Sequence, residues 1–220
     1  MDFDGLVGRL TSLYDVTTTR AAEVANERLK RMVAESKALR TIMTITTTVA
    51  DQAAYTLDPS VVQVYKVKVV YDDGQINYEG TESIEALWDI DADVAEPVDP
   101  DSAYWFAVEP DTDAVIGTDL LRLYPAPEVS GKDIKAIVAI RPGTITYGDG
   151  TALPISAATE EYLLAGCKAE LSDEEGRQDE SARFEVTYQA GIQRLRAEVE
   201  QRGKGSGRHR MRMVGYDLRR

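Results

Sequence analysis

The sequence predicts an α+β fold in which helices at both ends flank a central β-rich segment. Three observations lead there. Apolar residues recur at helical spacing near the N-terminus and again after residue 150. Between them lies a β-branched run followed by short alternating segments set off by Asp, Gly and Pro. Strand–helix–strand units do not recur, so the central strands read as a compact antiparallel sheet system. The expected organisation is N-terminal helices over 1–40, a β-rich domain over 41–150, a helical hairpin over 151–202 and a flexible, extended basic tail over 203–220. The terminal helices are expected to pack into one small bundle.

The first helix rests on Phe3, Leu6, Val7, Leu10, Leu13 and Tyr14, with Asp2 or Asp4 placed to cap its start. The Thr17-Thr18-Thr19 run interrupts that pattern and offers hydroxyl caps for a second helix, which is expected to end near Leu39. Ala21, Ala25, Leu29, Met32, Val33 and Ser36 form its apolar face. From Thr41 the composition changes: Ile42 to Val49 is rich in β-branched residues that lose χ1 freedom in a helix and suit a pleated surface. In Val61–Tyr71, Tyr65, Val67, Val69 and Tyr71 alternate with Lys66, Lys68 and Val70, which predicts a strand with one apolar face. Asp72-Asp73-Gly74 reads as a tight turn into a hairpin partner over Gln75–Tyr78. Further strands are expected at Tyr104–Val108, Leu120–Tyr124 and Lys135–Ile140.

After Gly148-Asp149-Gly150, Pro154 marks a helix start, with Ile155, Ala158, Tyr162, Ala165 and Ala169 as its face. Ser172 and Glu175 have capping-box spacing and are expected to open a long helix with Phe184, Tyr188, Ile192, Leu195 and Val199 as its stripe. The break between these helices is short, which makes them antiparallel neighbours.

Charge is unevenly divided. Residues 203–220 hold 6 Lys+Arg against Asp217 alone, a net of +5, whereas the other 202 residues hold 19 Lys+Arg and 37 Asp+Glu, a net of −18. An acidic body repels duplex phosphates, so only the tail has the sign to grip nucleic acid. With 43% hydrophobic and 29% charged residues the chain has the composition of a folded protein. One cysteine, Cys167, allows no internal disulfide and fits a reducing compartment. The start Met1-Asp2-Phe3-Asp4 lacks the basic residues of a secretory leader, and no apolar run is long enough for a membrane span.

Catalytic constellations are not expected. The one histidine, His209, lies in the glycine-linked tail, far in sequence from Cys167. No serine occupies a G-x-S-x-G elbow. Gly203-Lys204-Gly205-Ser206 resembles the end of a phosphate loop, but its earlier glycine position falls on Glu198. Asp89, Asp91 and Asp93 resemble the start of a calcium loop, yet Val94 and Pro100 stand where glycine and glutamate are required. The segment therefore reads as a solvated acidic loop, with an irregular cation site at Asp99 or Asp101 as the less favoured reading. Trp88 and Trp105 read as packing residues. No cofactor and no metal are expected.

The tail alternates. Arg208, Arg210 and Arg212 fall on one side of an extended segment, His209, Met211 and Met213 on the other, and Val214, Tyr216 and Leu218 continue its apolar character. Strand addition to a partner, with arginines meeting acids, is one reading; ordering on nucleic acid is a second, and a disordered basic end is the third.

Leu121-Arg-Leu-Tyr-Pro-Ala-Pro127, a turn, and a strand ending at Arg141-Pro142 resemble the head–tail adaptor proteins of tailed bacteriophages. Leu121, Leu123, Tyr124, Pro125 and Pro127 carry the resemblance at residue level, and the layout of terminal helices and polar tail extends it. The acidic insertion around Asp89–Asp101 departs from the pattern. The resemblance implies a non-enzymatic virion protein at the neck, assembled in the host cytoplasm as a ring of twelve copies beneath the portal protein. Such a ring extends the DNA channel and presents a platform to the next neck or tail protein. It also implies that the C-terminal segment docks on the portal, a role that falls on Arg208–Leu218. The competing reading is a nucleic-acid-binding or DNA-packaging protein that uses the same basic tail. A small-molecule enzyme with an acidic metal site ranks third.

Overall fold

The structure, a computed structural model, describes residues 1–80, 104–110 and 119–214, with side chains as far as residue 201. The fold is α+β, and the chain divides into two compact units, Met1–Leu39 with Arg141–Arg220, and Arg40–Ile140.

The first unit is helical. Helix α1 (Phe3–Leu13) is capped by Asp2, whose Oδ1 accepts from Gly5 N–H, and α2 (Thr18–Ser36) by the Thr17 hydroxyl, which accepts from Arg20 N–H. Such caps contribute about 1 kcal/mol each. Helices α3 (Glu160–Glu174), entered through a 3-10 turn at Ala157–Thr159, and α4 (Gln178–Val214) complete the unit. Phe3, Leu6 and Leu10 of α1, Leu29 and Met32 of α2, Leu163 and Cys167 of α3, and Tyr188 and Ile192 of α4 share one core. Residues 141–150, assigned to the β-rich domain on sequence, are tied to these helices. Asn26 donates to Ile145 O at 3.0 Å and accepts from Ile145 N at 2.8 Å, while Asp4 accepts from Gly148 N and Gly150 N.

The second unit is a sheet of β1 (Arg40–Thr47), β2 (Ala54–Thr56), β3 (Val61–Tyr71), β4 (Gly74–Gly80), β5 (Trp105–Pro110), β6 (Asp119–Tyr124) and β7 (Asp133–Ile140). Their order is β1-β7-β3-β4-β5-β6-β2. The pairs are antiparallel except β4 with β5, where Glu79 faces Trp105 and Gly80 faces Phe106 in parallel. The predicted hairpin forms, with Val70 opposite Gln75 and Tyr71 opposite Gly74. Val64, Val67 and Val69 are buried, because the β3–β7 register shifts between Val64 and Lys66 and the inward face changes phase there.

Four expectations are corrected. The helix expected from Pro154 begins later, and its expected face is only partly the buried one. Ala158 is exposed, whereas Leu163 to Cys167 are buried consecutively, since α3 is the central helix and is covered on most sides. Ser172 does not cap a helix. It is buried inside α3 and its hydroxyl meets the Tyr14 hydroxyl at 3.0 Å. The break falls at Gly176, φ +75°, where Arg177 N–H reaches Ser172 O and Gly176 N–H reaches Asp173 O, a Schellman ending. The backbone expected to be extended from Gly203 is helical to Val214. A helix already running adds one hydrogen bond per residue and carries Gly203, Gly205 and Gly207 at about 1 kcal/mol each, because no second nucleation is needed.

Candidate docking surfaces

A seam of arginines binds α2 to the two helices that follow. Arg28 Nε bonds Glu170 at 2.8 Å and its Nη1 bonds Glu185 at 2.7 Å; Arg20 pairs with Glu23, Glu170 and Glu174, and Arg31 with Glu35. Burial alone would raise the Glu185 carboxyl, but the Gln189 hydrogen bond and Arg28 leave it below its ordinary value. Tyr188 donates to Arg28 O at 2.7 Å, and the guanidiniums of Arg28 and Arg31 lie 5.4 Å and 6.0 Å from its ring centre. Arg28 is mostly buried, and its partners sit on two other helices, so the seam fixes the bundle and leaves little free charge. Cys167 is enclosed beside it, and burial pushes its thiol up to about 12, which makes it an unreactive core residue.

On the outside of the same unit, α2 and residues 144–147 border a groove of about 650 Å³. Glu23, Glu27 and Lys30 charge one wall, and Ile145 and the half-exposed Tyr147 line the other. The Asn26 contacts to Ile145 and a Lys30–Thr144 hydrogen bond of 2.7 Å hold those walls together.

In the β unit, the Leu121–Pro127 motif has two roles. Leu121 and Leu123 alternate inward on β6 and are buried in the sheet core. After a cis Tyr124–Pro125 bond the chain leaves the sheet, Pro127 O accepting from Asp51 N at 2.9 Å and Pro125 O from the Tyr78 hydroxyl at 3.3 Å. Pro125 to Val129 then form one wall of a cavity of about 160 Å³ whose other residues are Tyr71, Ile76, Tyr78 and Tyr104. Sequence reading missed this group. The hairpin register brings Tyr71 and Tyr78 onto neighbouring strands, a signal present in the sequence. Tyr104 arrives only through the parallel β4–β5 pairing, which no local pattern announces.

The remaining candidate residues are distributed as follows. Arg208, His209, Arg210, Met211, Arg212, Met213 and Val214 lie in the last turns of α4. Tyr216 and Leu218 lie outside the described residues, as do the acidic segment Asp89–Asp101 and Trp88. Trp105 is half-buried on β5 opposite Tyr124. Among the described residues no cluster of three metal-ligating side chains forms, and no helix is long and apolar enough to cross a membrane.

The charge partition follows the units. Residues 40–140 hold 6 Lys+Arg and 19 Asp+Glu, a net of −13, while the remainder hold 19 of each and are neutral. The whole formal charge of the chain thus sits on the sheet unit, and a run of five cations without an acid, Arg202 to Arg212, lies near the end of α4. A helical bundle pinned by ion pairs, a sheet unit of acidic sequence and a long helix ending in cations suit a protein that works through its surfaces, as structural assembly proteins do. The family model described as SU10 adaptor protein matches residues 1–212, and the chain belongs to that family of phage head–tail adaptors, structural proteins of the virion neck. No curated protein matches the chain.

Proposed function

We propose that copies of this protein form a ring, twelve in number, beneath the portal, and that the ring extends the DNA channel and offers a platform to the next neck or tail protein. The family match over residues 1–212 carries this reading. The sheet unit supports it, since a net of −13 repels phosphate and suits a wall past which DNA slides. Residues Arg208–Leu218 are the arm that docks on the portal. Their backbone is helical as far as Val214, which favours a helix laid in a groove over an added strand. In a ring, many individually weak arms act together, so modest affinities yield a durable attachment.

Deleting residues 203–220 provides the test. The truncated protein is expected to remain folded, lose co-sedimentation with portal rings, and show the same negligible duplex-DNA binding as the full chain. Retained portal binding would overturn the docking role. The nucleic-acid reading draws on the +5 of the same segment. It predicts duplex affinity in the full chain that falls steeply with salt and disappears on truncation. Negative-stain images of portal rings with and without the full chain would show a second ring added beneath the first and continuing its central hole, or remove that part of the proposal.

A further inference from the structure

The cavity beside the Leu121–Pro127 motif has a composition that a packing role leaves unexplained. Three tyrosines, Tyr71, Tyr78 and Tyr104, line a space of about 160 Å³ together with Pro125, Pro127 and Glu128. Tyr78 and Tyr104 meet edge to face, ring centres 5.3 Å apart at 72°, and the Tyr78 hydroxyl is anchored to Pro125 O. Glu128 is exposed at this wall. The nearby Lys132 ammonium is engaged by Asp72 at 2.6 Å.

We propose that this cavity is a receptor for one arginine side chain carried by a partner protein, the guanidinium entering among the tyrosines and meeting the Glu128 carboxylate. Aromatic rings attract cations through their quadrupoles, and a planar guanidinium both stacks on a ring and forks onto a carboxylate. The sequence of this unit, residues 40–140, carries a net of −13, so a basic partner is drawn to it and an acidic one repelled. Burial pushes both Tyr71 and Tyr78 up, so their phenols stay protonated and present neutral rings to an entering cation. Tyrosine–guanidinium stacking is already frequent in this chain, with Arg40 at 4.2 Å from the Tyr65 ring centre and Arg177 at 5.2 Å from that of Tyr14. The cavity offers the same chemistry to a group from outside. This inference is independent of whether the protein forms a ring.

N-acetyl-arginine amide is the probe, titrated into the full chain labelled at tyrosine and followed by NMR. Saturable shifts of Tyr71, Tyr78 and Tyr104 are expected in the millimolar range, with N-acetyl-glutamine amide producing none. Tyr104→Ala should weaken binding about tenfold, and Tyr104→Phe, which keeps the ring, should retain it. Glu128→Gln, at an exposed position that leaves the core untouched, should weaken it about threefold or more. Equal response to the glutamine amide, shifts outside these three tyrosines, or unchanged affinity in both Tyr104→Ala and Glu128→Gln would overturn the proposal.

Discussion

At two glycines, single atoms decide how closely α3 and α4 approach. A Cβ on Gly166 would lie 2.4 Å from Tyr188 Cδ2, and one on Gly191 would lie 2.2 Å from Tyr162 Cβ. Each helix therefore leaves a gap that a tyrosine of the other fills. Alanine at either position gains about 1 kcal/mol of helix propensity but meets ring or Cβ atoms fixed by a packed core. Tyr188 cannot yield easily, because its hydroxyl is bonded to Arg28 O and its ring lies beside two guanidiniums. Overpacking of this kind costs roughly 1–3 kcal/mol, so steric cost exceeds propensity. Gly166→Ala and Gly191→Ala are expected to lower the urea midpoint. Gly8→Ala, in α1 with nothing within 4 Å of its added methyl, should raise the midpoint, stabilising the protein by about 0.5–1 kcal/mol. If all three stabilised, the close α3–α4 contact would not exist in solution.

The α3–α4 junction shows what an element conceals in sequence. Ser172 and Glu175 have capping-box spacing, but Gly176 ends α3 in the left-handed region and sets the break four residues beyond the predicted cap at Ser172. Alanine at Gly176 should cost about 1–2 kcal/mol, the penalty for a Cβ in that conformation. Glu175→Ala, at an exposed residue paired with Arg177, should stay within about 0.5 kcal/mol. Chemical denaturation separates these outcomes; a large Glu175 effect with a silent Gly176 would restore the capping box. Elements with strong periodicity or turn chemistry were readable: α2 with its Thr17 cap, β3 with its Asp72-Asp73 turn, and the Tyr188–Ile192–Leu195–Val199 stripe. Those set by distant partners were not. Three-residue β2 exists because Ala54 to Thr56 pair with Leu120 to Arg122 and Leu57 N–H reaches Asp119 O. Likewise α3, buried on most sides, offers no amphipathic period from which to read its face. Of the docking residues, the motif from Leu121 to Pro127 was visible as a string, but the tyrosine cavity it borders depends on a strand pairing across an insertion.

Over the whole molecule, charge is sorted by unit, and stability should be sorted with it. Nineteen acids against six cations on residues 40–140 give that compact unit a net of −13, and like charges within one unit repel one another. The helical unit has 19 of each sign, and many of its charges are held in pairs such as Arg28–Glu170 and Arg28–Glu185. Salt shortens the screening length from about 30 Å at 0.01 M to about 3 Å at 1 M, so it relieves repulsion in the first case and weakens attraction in the second. Amide exchange read by mass spectrometry resolves the two. Raising NaCl from 0.01 to 0.5 M should slow exchange in β3 and β7, central strands of the acidic sheet, by about 5-fold or more, the factor that ~1 kcal/mol confers. Exchange in α2 and α3 should stay level or quicken slightly, since exposed ion pairs contribute at most about 1 kcal/mol each. Equal slowing in both units would mean that repulsion is shared by the whole chain, and no slowing in β3 would mean that it is already relieved. The expected asymmetry has a consequence for binding: a sheet unit that carries unbalanced negative charge is stabilised by a basic surface laid against it, so such a partner should slow exchange in β3 and β7 as salt does.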